Sequence, residues 1–250
     1  MKRSGVLSEF ERGGATLLDR RHGPADGTPF VLVHGIGVGC SYFGRLVPLL
    51  AAHGTVHVVG LPGFGDAPRP SWDLTVEEHA LLLAGFLGTL PGPAVLIGHS
   101  MGAQVVLQAA ADAPAAARSL VLIGSVTDPE ERTAPMQALR LLQDVLGEPP
   151  ATNWAVLSEY AKSGPRRYLA TLPSMLEHPT EAVARRVRAP ALVLRGADDP
   201  ICRLPWARRL TAALPQGRLV QVPGGRHVVM HTRPRAVASA VLAHLPPVLP

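Results

Sequence analysis

Cysteine, aromatic residues and charge are all scarce in this 250-residue chain, and each scarcity removes a class of protein. The two cysteines, Cys40 and Cys202, lie far apart and outside any CxxC or Cys/His spacing. A disulfide framework and a zinc site are therefore not expected, and both should be free thiols. Charged residues make up only 17% against 47% hydrophobic, which excludes an extended solvated chain. No apolar run reaches membrane-spanning length, and residues 1–10 carry no apolar leader core, so the expected location is the cytoplasm with no membrane partner. Aromatics, at 4%, are too few to interleave a basic surface. The net charge of +5 comes mostly from scattered arginine pairs such as Arg20-Arg21, Arg185-Arg186 and Arg208-Arg209. These read as solvated faces, and no nucleic-acid partner is expected.

What is present is a globular pattern. A chain this long buries roughly 70–75% of its unfolded surface. Short Val/Leu-rich runs bounded by Gly or Pro alternate with helical periodicity, the mark of βαβ units and a mainly parallel, doubly wound sheet covered on both faces. Strands are expected at Phe30–His34, Val56–Gly60, Ala94–His99, Leu120–Gly124, Ala191–Gly196 and Leu219–Pro223. Helices are expected at Tyr42–His53, Val76–Leu90, Met101–Ala111, Pro205–Leu214 and Pro234–Leu245. The segment before residue 24 should supply one or two antiparallel edge strands.

Between Ser125 and Arg188 the rhythm becomes helical only, punctuated by prolines. The expectation is an α/β core of residues 1–124 and 189–250 carrying an inserted helical cap, 125–188. Beyond the proline-tinged end, Leu245–Pro250, there is no low-complexity tract, and no internal repeat is visible.

Gly98-His99-Ser100-Met101-Gly102 follows the apolar strand Ala94–Ile97 and precedes a good helix-forming stretch. That is the context a G-x-S-x-G nucleophile turn requires: the glycines remove clashing Cβ atoms, and the serine oxygen is exposed above a helix N-terminus. His34-Gly35-Ile36-Gly37 follows another apolar strand, where a loop should supply an oxyanion donor. The backbone N–H groups of Ile36 and Met101 are the candidate oxyanion hole, with His34 bracing the loop. A base must take the proton of Ser100. His227, in the loop after the strand Leu219–Pro223, is the candidate, with His231 as the alternative. The acid that orients it should come from Gly196-Ala197-Asp198-Asp199-Pro200, where both aspartates also suit a turn.

With these motifs and the Leu61-Pro62-Gly63-Phe64-Gly65 turn, the chain resembles the α/β-hydrolase superfamily over residues 28 to 245. The resemblance implies an acid three residues after Gly196, which selects Asp199 and completes a triad with Ser100 and His227. It differs from the usual pattern in Gly60 and Leu61, where an Asp often precedes the Pro-Gly-Phe-Gly turn, and in Arg226, where a Gly often precedes the histidine. It implies a serine hydrolase that cleaves a carboxylic ester of a small molecule, without metal or organic cofactor. Related triads serve amidases, lactonases, thioesterases, carbon–carbon hydrolases and cofactor-free perhydrolases, and a non-catalytic binding protein is the alternative of another class. Within the cap, Met136, Leu139, Leu142, Val145, Leu146, Trp154, Leu157, Tyr160 and Met175 fall at helical spacing. Of these, Met136 and Trp154 are the candidates for the substrate pocket, which should favour medium-sized apolar groups.

Overall fold

The computed structural model describes residues 5–245, so the first four residues and the rest of the proline-tinged end fall outside it. Eight strands form one sheet: β1 (Val6–Arg12), β2 (Ala15–His22), β3 (Pro29–Val33), β4 (Thr55–Gly60), β5 (Ala94–His99), β6 (Ala117–Ile123), β7 (Ala191–Gly196) and β8 (Gly217–Val222). Their order is β1-β2-β4-β3-β5-β6-β7-β8. The six strands from β3 to β8 run parallel, while β1 and β2 form the antiparallel edge. The fold is thus the doubly wound α/β sheet that the periodicity implies.

The helices are α1 (Val47–Leu50), α2 (Val76–Leu87), α3 (Met101–Asp112), α4 (Ala134–Gly147), α5 (Pro150–Ser163), α6 (Pro165–Glu177), α7 (Thr180–Ala184), α8 (Leu204–Ala213), α9 (Val229–Thr232) and α10 (Pro234–His244). Every residue of β3, β4, β5 and β7 is buried, because layers cover both faces. One apolar cluster packs α2, α3 and α8 on one side, around Leu83, Val105 and Trp206. The other packs α1, α9 and α10 around Phe43, Met230 and Val241. α2 starts on a capping box: Thr75 Oγ1 accepts the Glu78 N–H at 3.2 Å and Glu78 accepts the Thr75 N–H at 2.7 Å.

Two expectations shift. The single helix expected over Tyr42–His53 is a 3-10 turn, Cys40–Phe43, followed by the short α1, because Gly44 and Pro48 interrupt it. Within the segment expected as one cap, Val183 and Ala184 of α7, Val187 after it and Met175 of α6 are buried in the α2–α3–α8 cluster, while α4–α6 line a cavity shared with Ser100.

Candidate active site

Ser100 sits between β5 and α3 at φ 55°, ψ −123°, a left-handed conformation that non-glycine residues rarely adopt. The surroundings enforce it. A Cβ on Gly98 would lie 2.2 Å from the Gly102 carbonyl oxygen, and one on Gly102 2.2 Å from that of Val33. The turn is therefore packed main chain against main chain, and the Ser100 N–H donates to Ile123 O at 3.0 Å. Met101 opens α3, where the first N–H groups have no carbonyl one turn back to bond. Ile36 lines the same cavity as Ser100, on the loop after β3. His34 braces that loop: its Nδ1–H donates to Gly35 O at 2.8 Å and its Nε2 accepts the Leu61 N–H at 3.0 Å. Burial lowers the His34 pKa to about 4, so the ring is neutral and one tautomer satisfies both bonds.

His227 is buried in the loop between β8 and α9, and its Nδ1–H donates to Asp199 Oδ2 at 3.1 Å. The other oxygen of Asp199 accepts the N–H groups of Ile201 and Cys202 at 2.8 and 2.9 Å. Burial raises the Asp199 pKa, but the His227 charge and these hydrogen bonds outweigh it and hold the carboxyl below its usual range. Burial likewise pulls His227 down, while Asp199, then Asp144 and Glu148, push it up by more, leaving it above the ordinary histidine value. Asp198 is exposed and offers only its backbone N–H, to Gly225 O at 3.0 Å. His231 lies in α9 outside the cavity lining. Ser100 and His227 line one cavity, but among the described residues no hydrogen bond joins the Ser100 hydroxyl to the ring; such contacts often tighten only with substrate present.

Two residues that sequence reasoning passed over support this arrangement. Arg195, buried in β7, donates to the carbonyls of Cys202, Ala197 and Asp199 at 2.6, 3.0 and 2.9 Å, tying down the loop that carries the acid. His99 donates its Nε2–H to the His227 carbonyl at 3.0 Å, and burial keeps its pKa well below the usual value. An arginine inside an otherwise apolar strand was the available signal for the first. The second had none, since any residue fits that place in G-x-S-x-G.

The cavity beside Ser100 has a volume of about 870 Å³. Its cap wall is formed by Leu141 and Val145 of α4, Val156 and Tyr160 of α5, and Tyr168 and Leu172 of α6. Met136 and Trp154, the candidates from the sequence, do not line it, and Trp154 is 76% exposed. The reason is helix phase. α4 carries two apolar stripes, and the one through Ala138, Leu141 and Val145 faces inward while Leu139, Leu142 and Leu146 face solvent. Among the described residues no group of three or more His, Cys, Asp or Glu side chains could hold a metal, and no helix is long and apolar enough to cross a membrane.

The chain is similar to a pimeloyl-acyl-carrier-protein methyl ester esterase of Chromobacterium violaceum, at 29% identity over 88% of this chain and 94% of that protein. It is also similar to the (E)-2-((N-methylformamido)methylene)succinate hydrolase of Acinetobacter baylyi, at 24% identity over 88% of this chain and 91% of that one. Among solved structures, the enol-lactonase of Burkholderia xenovorans LB400 superposes with a TM-score of 0.82 at 21% identity, covering 95% of this chain and 99% of the lactonase. The model of the alpha/beta hydrolase family matches residues 30–240, and this chain belongs to that family.

Proposed function

We propose that the protein is a serine hydrolase that cleaves a carboxylic ester of a neutral, medium-sized, apolar small molecule. The observation that carries the reading is the Asp199–His227 pair, at 3.1 Å, opening onto the same cavity as a serine held at positive φ between strand and helix. In this reading His227 Nε2 takes the Ser100 proton as Oγ attacks the carbonyl, and Asp199 stabilises the imidazolium through Nδ1–H. The oxyanion is received by the Ile36 and Met101 N–H groups, the second reinforced by the N-terminus of α3. The alcohol leaves with the proton from His227. Water, deprotonated by the same ring, then releases the acid from Ser100.

Substrate choice is read from the cavity. A volume of about 870 Å³ lined by Leu, Val and Tyr suits a medium-sized apolar group. Among its lining residues there is no Lys or Arg, while Asp144 and Glu148 are both present. No fixed cation there pairs with a carboxylate, so a neutral ester fits better than a succinate-like acid such as the one in the name of the Acinetobacter relative. The helices α4–α6 of the inserted segment act in this reading as a selective cap, and no cofactor takes part.

The test is turnover of p-nitrophenyl esters of increasing acyl length beside an amide, a lactone and a half-ester of a dicarboxylic acid. Highest kcat/KM on a neutral ester of intermediate length is expected. Preference for the lactone, the amide or the charged half-ester would overturn the ester or the neutral-substrate part of the reading.

A further inference from the structure

Asp144 is a carboxylate in an apolar wall, and the triad does not use it. It lies on the last turns of α4, is buried, and lines the cavity. Its Oδ1 accepts the backbone N–H of His227 at 3.2 Å and stands 3.4 Å from Arg226 Nε. Arg226 reaches the same helix again, donating Nη2–H to Gln143 O at 2.6 Å. Glu148, the residue after α4, lines the cavity beside Val228. Two consecutive residues of the histidine loop, Arg226 and His227, are thus held by one end of α4. From the core side the loop is held by the His99 bond to the His227 carbonyl and by Asp199 at Nδ1.

Holding a backbone N–H needs no charge, since a carbonyl or amide oxygen accepts it as well. A buried carboxylate is costly there: burial raises the pKa of both Asp144 and Glu148. A charge at this place has one electrostatic use, because an imidazolium forms on His227 as Ser100 attacks, and a nearby anion favours it. The charged and titratable groups around the ring are Asp199 from the loop after β7, Asp144 of α4 and Glu148 just after it, His99 from β5 and Arg226 beside it, with the Tyr42 ring tilted against His99. The carboxylates outnumber the one fixed cation.

We propose that Asp144 is a positioning residue for the general base, coupling the cap to the triad: it seats the His227 backbone from the cavity side and places a second negative charge beside the imidazole. The proposal rests on the serine-hydrolase reading above. In consequence the cap does more than select substrate. Docking of α4 sets where the imidazole stands, so a shift of that helix changes kcat as well as KM.

The experiment compares Asp144→Ala and Asp144→Asn with the exposed Leu146→Ala on the same helix, each checked for folding by thermal melting. The pH dependence of kcat and kcat/KM is measured on the best p-nitrophenyl ester. The acidic limb of kcat/KM reports deprotonation of the free enzyme's base. Asp144→Ala should lose about tenfold to a hundredfold in kcat, as misplacement of a reacting group does, with KM changed far less. Its acidic limb should move to lower pH, since a charge that raises the His227 pKa is gone. Asp144→Asn keeps an acceptor for the N–H, so it should recover most of kcat while its acidic limb stays displaced. Leu146→Ala should match the parent in both.

A folded Asp144→Ala with parental kcat and an unmoved limb would overturn the inference. So would an Asp144→Asn as impaired as Asp144→Ala, with the loss in KM, which describes packing alone. If Asp144→Ala does not fold, the displaced limb of Asp144→Asn decides. Turnover retained by Ser100→Ala and His227→Ala would instead overturn the triad itself. Their loss beside a normal Asp144→Ala overturns only the role of Asp144.

Discussion

Around Ser100 the neighbours are main chain: the glycines of the turn touch the carbonyls of Val33 and Gly102, and the Ser100 N–H is bonded across to β6. Across the cavity, α4–α6 present side chains instead, and on the outer face of α4 Leu142 and Leu146 are 54% and 78% exposed. Backbone packed on backbone cannot relax to admit a new atom, whereas side chains on an outer helix layer change at small cost. In the proposed reading the chemistry is fixed in the core, and the choice of substrate is free to vary in α4–α6.

The largest expected effect tests the core half. Ser100→Ala should lower kcat by roughly 10⁴-fold or more while leaving the melting temperature close to that of the parent. Near-normal ester turnover by the folded variant would place the chemistry elsewhere. Next in size are the paired acids. Asp199→Asn should cost roughly 10³–10⁴-fold in kcat, because Asn no longer orients the imidazole or favours its cation. Asp198→Asn, at an exposed side chain, should stay within about twofold. Steady-state kinetics on the two variants decides, and the reverse ranking would exchange their roles.

These core residues were legible because local sequence dictates them. Gly98 and Gly102 flank Ser100 for a steric reason that the structure shows directly, and a strand before with a helix after is visible in hydrophobic periodicity. The sequence left Asp198 and Asp199 unresolved, since both suit a turn, and the resemblance to other hydrolases made the selection. The structure brings only Asp199 to His227. In the cap the reading of Met136 and Trp154 as pocket residues did not match the structure. Periodicity identifies an amphipathic helix but not which of two apolar stripes faces inward, and that is decided by neighbours distant in sequence. The contact between Arg226 and Asp144 was hidden for the same reason: it joins the inserted segment to the core, 82 positions apart by their numbers.

The third expectation addresses the cap half. Leu141→Ala or Leu172→Ala should change the ranking of kcat/KM across an ester series by about tenfold, while the rate on the smallest ester changes little. Trp154→Ala and Met136→Ala, away from the cavity, should leave the ranking as it is. An unchanged ranking in the folded Leu141 and Leu172 variants would move selectivity to the core loops.

The smallest effect distinguishes the two layers by acid. His34, His79 and His99 are core histidines held neutral by burial, with pKa lowered to about 4 for His34 and about 3 for His79. Once unfolded they take up protons below pH 6.5, whereas the folded rings do not. Their contribution to stability is therefore complete above that pH and is lost as the pH falls toward 4. His227, with a raised pKa, acts in the opposite sense but is outnumbered. The melting temperature should fall steadily from neutral pH to pH 4.5, by about several degrees. A flat profile would mean that these rings are not held neutral.

In the proposed mechanism the nucleophile is Ser100, activated by His227. Intact mass and peptide mapping after brief treatment with a fluorophosphonate test it directly. One adduct on Ser100 is expected, lost in Ser100→Ala and formed far more slowly in His227→Ala. An unlabelled protein, an adduct on another residue, or labelling at the parental rate without His227 would contradict it.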